Sequence, residues 1–413
     1  MLLDAAELGV RARVGTLSRQ AVRTNGPASF DYEPSWLQGK HALTLDPKLQ
    51  LWDADQYPPT NGSGFGLLMD SAPDRWGRLL MERREAAESR RQGRAVRALQ
   101  AIDFLLGVHD LTRIGALRFR VSEAGPFLDN SADPAPPLTS LAELARVSRR
   151  IEEPGAEDLP EYGKWLALLI APGASLGGAR PKVNFTDEYG QLWIAKLPAP
   201  DDRYDVGRWE FVAHQLAARA GVRVPESRLE QLADRYGTFC VARFDRLPGS
   251  RRIYTSAMTL LERHGGENDS GDDDSSYLDL AEFILDQGST RHIAQDLEQL
   301  FRRAAFNVLI GNRDDGLRNH GFIRERSGWR LSDAFDMNAD GAKTRHALTL
   351  DGYSAEPDVA TVLQTADFYR LRAGRARAIV DEVRRAVATW KDEASRQGLP
   401  ASELQQMASV IQA

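Results

Sequence analysis

Residues 307–319 read NVLIGNRDDGLRN, and Asp336 follows seventeen positions after Asn319 in the stretch SDAFDMN. Asp314 and Asn319 are five positions apart. Phosphoryl transfer from ATP requires a carboxylate that meets the substrate hydroxyl, together with an amide and a second carboxylate that hold Mg²⁺. The stretch therefore predicts a phosphoryl-transfer site in which Asp314 is the catalytic base and Asn319 and Asp336 are the metal ligands.

The five-residue interval is also the D-x-x-x-x-N spacing of protein-kinase catalytic loops. Two assignments stay open within it. Asp315 could replace Asp314, although its interval to the amide is four positions rather than five. Asp333 could replace Asp336, although Asp336 stands beside an aromatic residue, Phe335, and so better matches the metal-binding Asp of a kinase. A polar loop that only follows a helix would carry the same residue types.

A glycine-rich bend, SLGGARPK, occupies residues 175–182. Glycines allow backbone amides to approach phosphate groups closely. We therefore expect Ser175, Gly177, Gly178 and Lys182 to contact the nucleotide. The bend is not a Walker A loop, because no Lys-Ser or Lys-Thr pair follows its glycines, and a Gly-Gly bend is weak evidence when taken alone.

Lys196 lies in the apolar run LWIAKL at 192–197. An unpaired ammonium in such a run would be costly, so Lys196 is the best candidate for an amine on the ATP phosphates. Glu210, on the next predicted helix, offers an ion-pair partner. The alternative is a lysine on an edge strand that reaches solvent.

The hydrophobic periodicity predicts a mixed fold. Strands are expected at 14–17, 42–45, 192–197 and 237–244, and helices at 74–97, 206–220, 297–310 and within 357–413; residues 164–171 fit either type. A flexible loop, a strand, a Lys-bearing strand, a helix and a further strand is the order of a kinase small lobe. We therefore predict an α+β, two-lobed protein-kinase-like fold with an extra mixed N-terminal subdomain and a mainly helical C-terminal lobe.

The domain boundaries follow from composition. Residues 122–137 are rich in Pro, Gly, Ser and Asp and read as a linker. The expected domains are an N-terminal subdomain at 1–125, a small lobe with the glycine-rich loop at 138–245, and a helical large lobe with the catalytic loop at 246–413.

The bulk composition narrows the possible partners. The chain has 413 residues and a formal net charge of -6, so it shows no basic excess for direct binding to nucleic acid or to an anionic membrane. Cys240 is its single cysteine, which excludes an internal disulfide and fits a reducing cytoplasm. We expect Cys240 to be a buried apolar residue. No apolar run approaches ~18 residues, and no secretory signal is evident. A cytoplasmic location is expected.

Several motifs together resemble the HipA family of bacterial toxin kinases. They are SLGGARPK (175–182), WIAKLP (193–198), RWEFVAHQLAARAGVRVP (208–225), VARFDR (241–246), IGNRDDGLRN (310–319), FDMN (335–338) and, in the N-terminal module, LLMDSAPDRWGRLLMERR (67–84). The resemblance implies a serine/threonine protein kinase with an added N-terminal domain.

By this resemblance Lys196 contacts the ATP phosphates, Asp314 is the catalytic Asp, and Asn319 and Asp336 bind Mg²⁺. The segment from Ala242 to Phe244 borders the adenine.

The resemblance also implies that Ser175 is a loop serine that the kinase autophosphorylates. A phosphate there would add roughly -1.5 to -2 charges beside the ATP phosphates and silence the enzyme. One departure is Gly316, which stands where better-known members carry a His.

The resemblance further implies a helix-turn-helix antitoxin partner, with DNA contacted mainly through that partner. A protein substrate is implied as well, and known targets in the family are aminoacyl-tRNA synthetases. Two other functions stay open: a kinase for small molecules, and a nucleotide-binding regulatory module for a DNA-binding partner.

Overall fold

The structure is a computed structural model that describes residues 1–19, 28–58, 64–128, 138–170, 178, 180–232, 235–263 and 275–412. Its strands are β1 (Leu2–Ala5), β2 (Val10–Arg13), β3 (Gly15–Arg19), β4 (Ala28–Tyr32), β5 (Leu117–Arg118), β6 (Lys182–Thr186), β7 (Leu192–Lys196), β8 (Ser227–Glu230), β9 (Thr238–Ala242), β10 (Arg246–Leu247), β11 (Ser250–Arg251), β12 (Tyr254–Ser256), β13 (Gly321–Glu325) and β14 (Gly328–Leu331). Its helices are α1 (Pro34–Leu37), α2 (Gly66–Asp70), α3 (Arg75–Gln92), α4 (Ala101–Leu106), α5 (Leu141–Arg150), α6 (Tyr162–Ile170), α7 (Val206–Arg219), α8 (Ala257–Leu260), α9 (Tyr277–Gln287), α10 (Ile293–Ile310), α11 (Val359–Gln364), α12 (Ala373–Val387), α13 (Trp390–Arg396) and α14 (Ala401–Met407).

Most of the elements predicted from periodicity are confirmed. The helices α3, α7 and α10 and the strands β3, β7 and β9 lie where the sequence placed them. The segment that fitted either type, residues 164–171, is largely helical and belongs to α6.

The strand expected at 42–45 is wrong. Leu45 is fully buried, but the chain around it forms a turn that is organised by Asp46. The Asp46 carboxylate accepts hydrogen bonds from the backbone N–H groups of Lys48 at 2.8 Å and Leu67 at 2.7 Å. The apolar pattern there reflects the burial of Leu45 in the core, not a sheet.

The first compact unit comprises residues 1–201, 231–235 and 245–255. In it, β1 pairs antiparallel with β2 and β5, and β3 pairs with β4. Helix α6 packs against α3 and α5, and β6 and β7 form an antiparallel hairpin. Phe30, Tyr32 and Leu80 are fully buried in its core.

The second compact unit comprises residues 202–230, 236–244 and 256–413. Its central element is α10, against which α9, α11 and α12 pack. Nearly every side chain of α10 from Leu297 onward is buried. The hairpins β8–β9 and β13–β14 are antiparallel, and α7 packs on the first of them.

Helix α7 has a side-chain cap at its N-terminus and a glycine just beyond its C-terminus. Its N-cap, Asp205, accepts from the backbone N–H of Arg208 at 3.0 Å and from that of Gly237 at 3.0 Å. The same carboxylate therefore caps the helix and holds the start of β9. Gly221, which follows the helix closely, has φ +75°, a conformation that favours glycine.

Two further expectations concern burial and membranes. Cys240 is fully buried, as expected, and burial raises the pKa of its thiol. Within the described part of the chain, none of the helices combines the length and the apolar character that crossing a bilayer demands.

Candidate functional site

The candidate catalytic loop begins where α10 ends. Gly311 follows the helix with φ +77°, and a Cβ at this position would lie 2.6 Å from the backbone oxygen of Val410. Both the backbone conformation and the space therefore require glycine here. Asn312 then turns back onto the helix, because its backbone N–H donates to the carbonyl of Asn307 at 2.9 Å.

Asp314 points outward from this loop. Its side chain is 57% exposed and forms an ion pair with Lys343. The side-chain amide of Asn319 donates to the main-chain carbonyl of Asp314 at 2.6 Å. The structure thus brings together two of the predicted residues, the candidate base and one candidate metal ligand.

Asp315, the alternative base, is turned into the interior and is 1% exposed. It accepts hydrogen bonds from the hydroxyl of Tyr277 at 2.5 Å, from the backbone N–H of Ala347 at 3.1 Å, and it contacts Nδ1 of His346 at 2.9 Å. Burial would raise the pKa of Asp315, but the hydrogen bonds outweigh burial and the pKa lies below its ordinary value. This geometry favours Asp314 over Asp315 as the carboxylate that a substrate can reach.

Aromatic side chains pack beneath the candidate catalytic loop. His320 is buried and meets the ring of Tyr277 edge-on at 5.5 Å. Burial, reinforced by the charge of Arg303, lowers the pKa of His320 to about 4. His320 is therefore a neutral packing residue at neutral pH.

Asp336, the second candidate metal ligand, has φ +56°, a left-handed conformation that is rare for a residue with a side chain. Such conformations cost about 1–3 kcal/mol and concentrate at functional sites. The ring of the preceding residue, Phe335, stacks on Phe244 at 5.6 Å. The segment expected to border the adenine is therefore in contact with the segment that carries Asp336.

Asp333, the alternative metal ligand, already has a cationic partner. Its carboxylate lies 3.1 Å from Nε of Arg223. Asp333 is therefore engaged with a cation, and the choice of Asp336 as the metal ligand stays a prediction.

The first unit contains the two lysines predicted for the phosphates. Lys182 of β6 and Lys196 of β7 are directly opposite each other in the hairpin, so their side chains share one face. The ammonium of Lys182 forms a buried ion pair with Asp74 at 2.6 Å and lies 3.3 Å from the carbonyl of Gly178. Gly178 has φ +92°, which suits glycine. The face therefore combines two cationic side chains with a glycine bend.

Other predicted residues are placed individually. Glu210 is buried in α7, and Ala242 is buried at the end of β9, where its N–H donates to the carbonyl of Glu226 at 2.8 Å. The pairing of Glu210 with Lys196 stays a prediction. Ser175 and Gly177 lie outside the described residues.

The donor set suits Mg²⁺. Among the residues that the structure describes, no cluster of three or more His, Cys, Asp or Glu side chains could hold a metal. Mg²⁺ is, however, usually held by one or two carboxylates together with substrate phosphates and water. The amide oxygen of Asn319 and the carboxylate of Asp336 are ligands of that kind.

Sequence reasoning missed Lys343 and His346 beside the catalytic loop of the second unit, and Asp74 beside Lys182 in the first unit. Lys343 is separated from its partner Asp314 by 29 positions, and Asp74 from its partner Lys182 by 108 positions. Pairs so distant leave no periodic or spacing signal. Asp74 does carry a local signal, since an Asp before a helical run is a typical N-cap, but that signal says nothing about Lys182.

The part of the chain that contains the catalytic loop is similar to a known protein family. A family described as the HipA-like C-terminal domain matches residues 174–390. A curated protein of Haemophilus influenzae, which carries a provisional kinase name, is 30% identical over 167 residues that cover 37% of this chain. The match spans 48% of that relative, about half of its length.

Among solved structures, the HipA toxin of Shewanella oneidensis, in a complex with HipB and operator DNA, aligns with a TM-score of 0.64 at 19% identity. The alignment covers 99% of this chain and 95% of that one. The Helicobacter pylori proinflammatory kinase CtkA aligns with a TM-score of 0.37 at 15% identity, over 53% of this chain and 89% of its own. The first match confirms the α+β, kinase-like fold class; the division into three domains stays a prediction.

Proposed function

Because this chain belongs to the HipA family, we propose that it is an ATP- and Mg²⁺-dependent serine/threonine protein kinase and the toxin of a toxin–antitoxin pair. The observation that carries the proposal is the split between two adjacent carboxylates. Asp315 anchors the loop from the interior, and Asp314 faces outward with Asn319 attached to its peptide group. A positioned, accessible carboxylate beside an amide ligand is the arrangement that phosphoryl transfer needs.

The reaction follows from these positions. The substrate hydroxyl oxygen attacks the γ-phosphorus of ATP, the bond from that phosphorus to the β–γ bridging oxygen breaks, and ADP leaves with the electron pair. Asp314 accepts the hydroxyl proton. Asn319 and Asp336 would hold Mg²⁺, which supplies charge neutralisation at the phosphates.

The β6–β7 hairpin supports the binding of phosphates. Lys182 and Lys196 share one face of the hairpin, and the Lys182 ammonium donates a hydrogen bond to the carbonyl of Gly178. In this proposal Lys196 contacts the phosphates, and Gly177 and Gly178 bring backbone N–H groups towards them.

The partners and the self-modification belong to the same proposal. The similar Shewanella oneidensis toxin is seen with HipB and operator DNA, and we extend such an antitoxin partner to this chain. The net charge of -6 agrees with DNA being contacted mainly through that partner. Autophosphorylation at Ser175 and a cytoplasmic protein substrate complete the proposal.

The test is transfer of labelled phosphate from ATP by Asp314→Asn and Asp336→Asn, with Asp381→Asn as the control. Loss of the base should slow transfer by about 10²–10⁴-fold, and loss of the metal ligand should abolish Mg²⁺-dependent transfer. Asp381 is 65% exposed on α12, so its variant should match the wild type.

The acceptor of the label separates the alternatives. Label in proteins, with a phosphopeptide that contains Ser175, supports the proposal, whereas label only in metabolites indicates a small-molecule kinase. ATP binding without turnover by the wild type indicates a regulatory module. Full transfer by Asp314→Asn and Asp336→Asn would refute the assignment of the site.

A further inference from the structure

A segment of the second unit, residues 340–347, lies along the catalytic loop. The backbone N–H of Asp340 donates to the carbonyl of Gly311 at 2.9 Å, and that of Ala347 donates to the carbonyl of Arg313 at 3.1 Å. The guanidinium of Arg313 donates to the carbonyl of Lys343 at 2.5 Å. These bonds fix the backbone of the segment beside the loop at both of its ends and in the middle.

Lys343 extends from the middle of this segment to the candidate base. Its ammonium contacts Oδ1 of Asp314, with the two side chains 40% and 57% exposed. An ion pair as exposed as this contributes only about 0–1 kcal/mol to stability. Since the backbone bonds already hold the segment, the ion pair is not needed to fix it.

The three residues that follow Asp314 in the loop are not cationic, and Arg313 before it directs its guanidinium to the carbonyl of Lys343. These three residues are Asp315, which is buried, then Gly316 and Leu317. A Cβ at Gly316 would meet only the side chain of Ala347, at 3.7 Å. Residues 340–347 therefore lie beside the loop at Gly316, which has no side chain.

Phosphoryl transfer is accelerated when a cation neutralises the charge on the transferred group. A catalytic base lies about 2.6–3.2 Å from the hydroxyl oxygen, and reacting atoms approach to about 3–3.5 Å. A lysine ammonium that contacts the base can therefore also reach the γ-phosphoryl oxygens, because its four-carbon side chain is flexible.

We propose that Lys343 is a catalytic residue of the kinase, which contacts the γ-phosphoryl group of ATP. This inference rests on the proposed function. Before transfer, the Lys343 ammonium pairs with ionised Asp314. As Asp314 takes the hydroxyl proton and becomes neutral, Lys343 keeps its own protons and donates to a γ-phosphoryl oxygen, while the oxygen–phosphorus bonds form and break as described above.

The experiment measures the dissociation constants of ATP and ADP, with Mg²⁺, together with kcat, for Lys343→Met and Lys343→Arg. A contact with the γ-phosphoryl group should weaken ATP binding by about 10- to 100-fold and leave ADP binding unchanged. Loss of a cation at the transferred group should lower kcat by about 10³-fold or more. Lys343→Arg should restore most of the preference for ATP over ADP.

Arg345→Met is the matched control. Arg345 lies in the same segment, but it pairs with Glu356 at 3.0 Å and both side chains are more than half exposed. Removal of this charge should change neither nucleotide affinity nor kcat.

Two results would overturn the role of Lys343 while the kinase stands: an equal loss of ATP and ADP affinity in Lys343→Met, or full kcat and affinity in that variant. A wild-type chain that binds no ATP would instead overturn the proposed function, and this inference with it.

Discussion

Asp314 and Asp315 are chain neighbours with the same side chain, and the fold gives them opposite environments. The first is exposed, and the second is buried with several hydrogen-bond donors around it. Burial of an unpaired carboxylate would be costly, so the contacts from His346, Tyr277 and Ala347 are what allow an ionised Asp315 to anchor the loop. Because the buried Asp315 anchors the loop, the adjacent Asp314 faces outward.

His320 gives a prediction on pH. Its folded pKa is about 4, against an ordinary value of 6.5. Because the unfolded chain binds this proton more readily, its contribution to stability is full above about pH 6.5 and is lost as the pH falls towards 4. The loss amounts to about 3 kcal/mol at most.

The variant His320→Phe keeps the edge-on contact with Tyr277 and cannot titrate. The free energy of unfolding in urea should therefore fall less between pH 7 and pH 4.5 in the variant than in the wild type. The comparison of slopes cancels the groups that titrate in this range without contacting residue 320. Equal slopes in the two proteins would contradict a buried neutral His320.

At the scale of elements, Asp74 joins a helix to a hairpin within the first unit. It caps α3 by accepting from the backbone N–H of Gly77 at 2.8 Å, and it pairs with Lys182 of β6 at 2.6 Å. Both paired side chains are 2% exposed. The first residue of β6, Lys182, is thus tied to the N-cap of a helix that precedes it by 108 positions.

Asp74→Asn should destabilise the protein by about 3–5 kcal/mol, because Asn can cap the helix but removes the negative charge that faces the buried ammonium of Lys182. Asp74→Ala should cost about 1 kcal/mol more, since it also removes the cap. The double variant Asp74→Asn with Lys182→Met should recover part of the loss, because neither charge remains. Thermal unfolding measures all three. Stability within about 0.5 kcal/mol of wild type for Asp74→Asn would show that the pair is not a structural link.

Much of the element structure could be predicted because its signals are local. The helix α10 has a strong apolar stripe, and α7 begins after a capping Asp and ends before Gly221. The spacing from Asp314 to Asn319 predicted two residues that the structure brings together. The failure at 42–45 arose because a short apolar run with one buried leucine, Leu45, resembles a strand although it lies beside a turn.

The remainder of the site could not be predicted, since it depends on contacts between distant parts of the chain. Nothing near residue 343 indicates that its lysine meets Asp314, and nothing near residue 346 indicates that its histidine meets Asp315. Such contacts depend on how loops pack on helices, and no spacing between residues in a single sequence indicates them.

At the scale of the whole molecule, the charge balance leads to a prediction about DNA. With a net charge of -6, the chain alone should not retard operator DNA at physiological salt, because affinity for the backbone comes from cationic contacts. Addition of the antitoxin partner that we propose for this chain should produce a ternary complex in a gel-shift experiment. If the chain alone bound DNA tightly, the proposal that DNA is contacted mainly through the partner would be contradicted.

The isolation of Cys240 has a practical consequence. The chain has no other cysteine, and this thiol is fully buried, with burial raising its pKa. Thiol-directed probes should therefore react only at cysteines that are introduced, for example by Val121→Cys in the first unit and Tyr353→Cys in the second, where the native side chains are 89% and 91% exposed. Spin labels on that pair would report by electron resonance whether nucleotide changes the distance between the two units, without any need to remove the native cysteine.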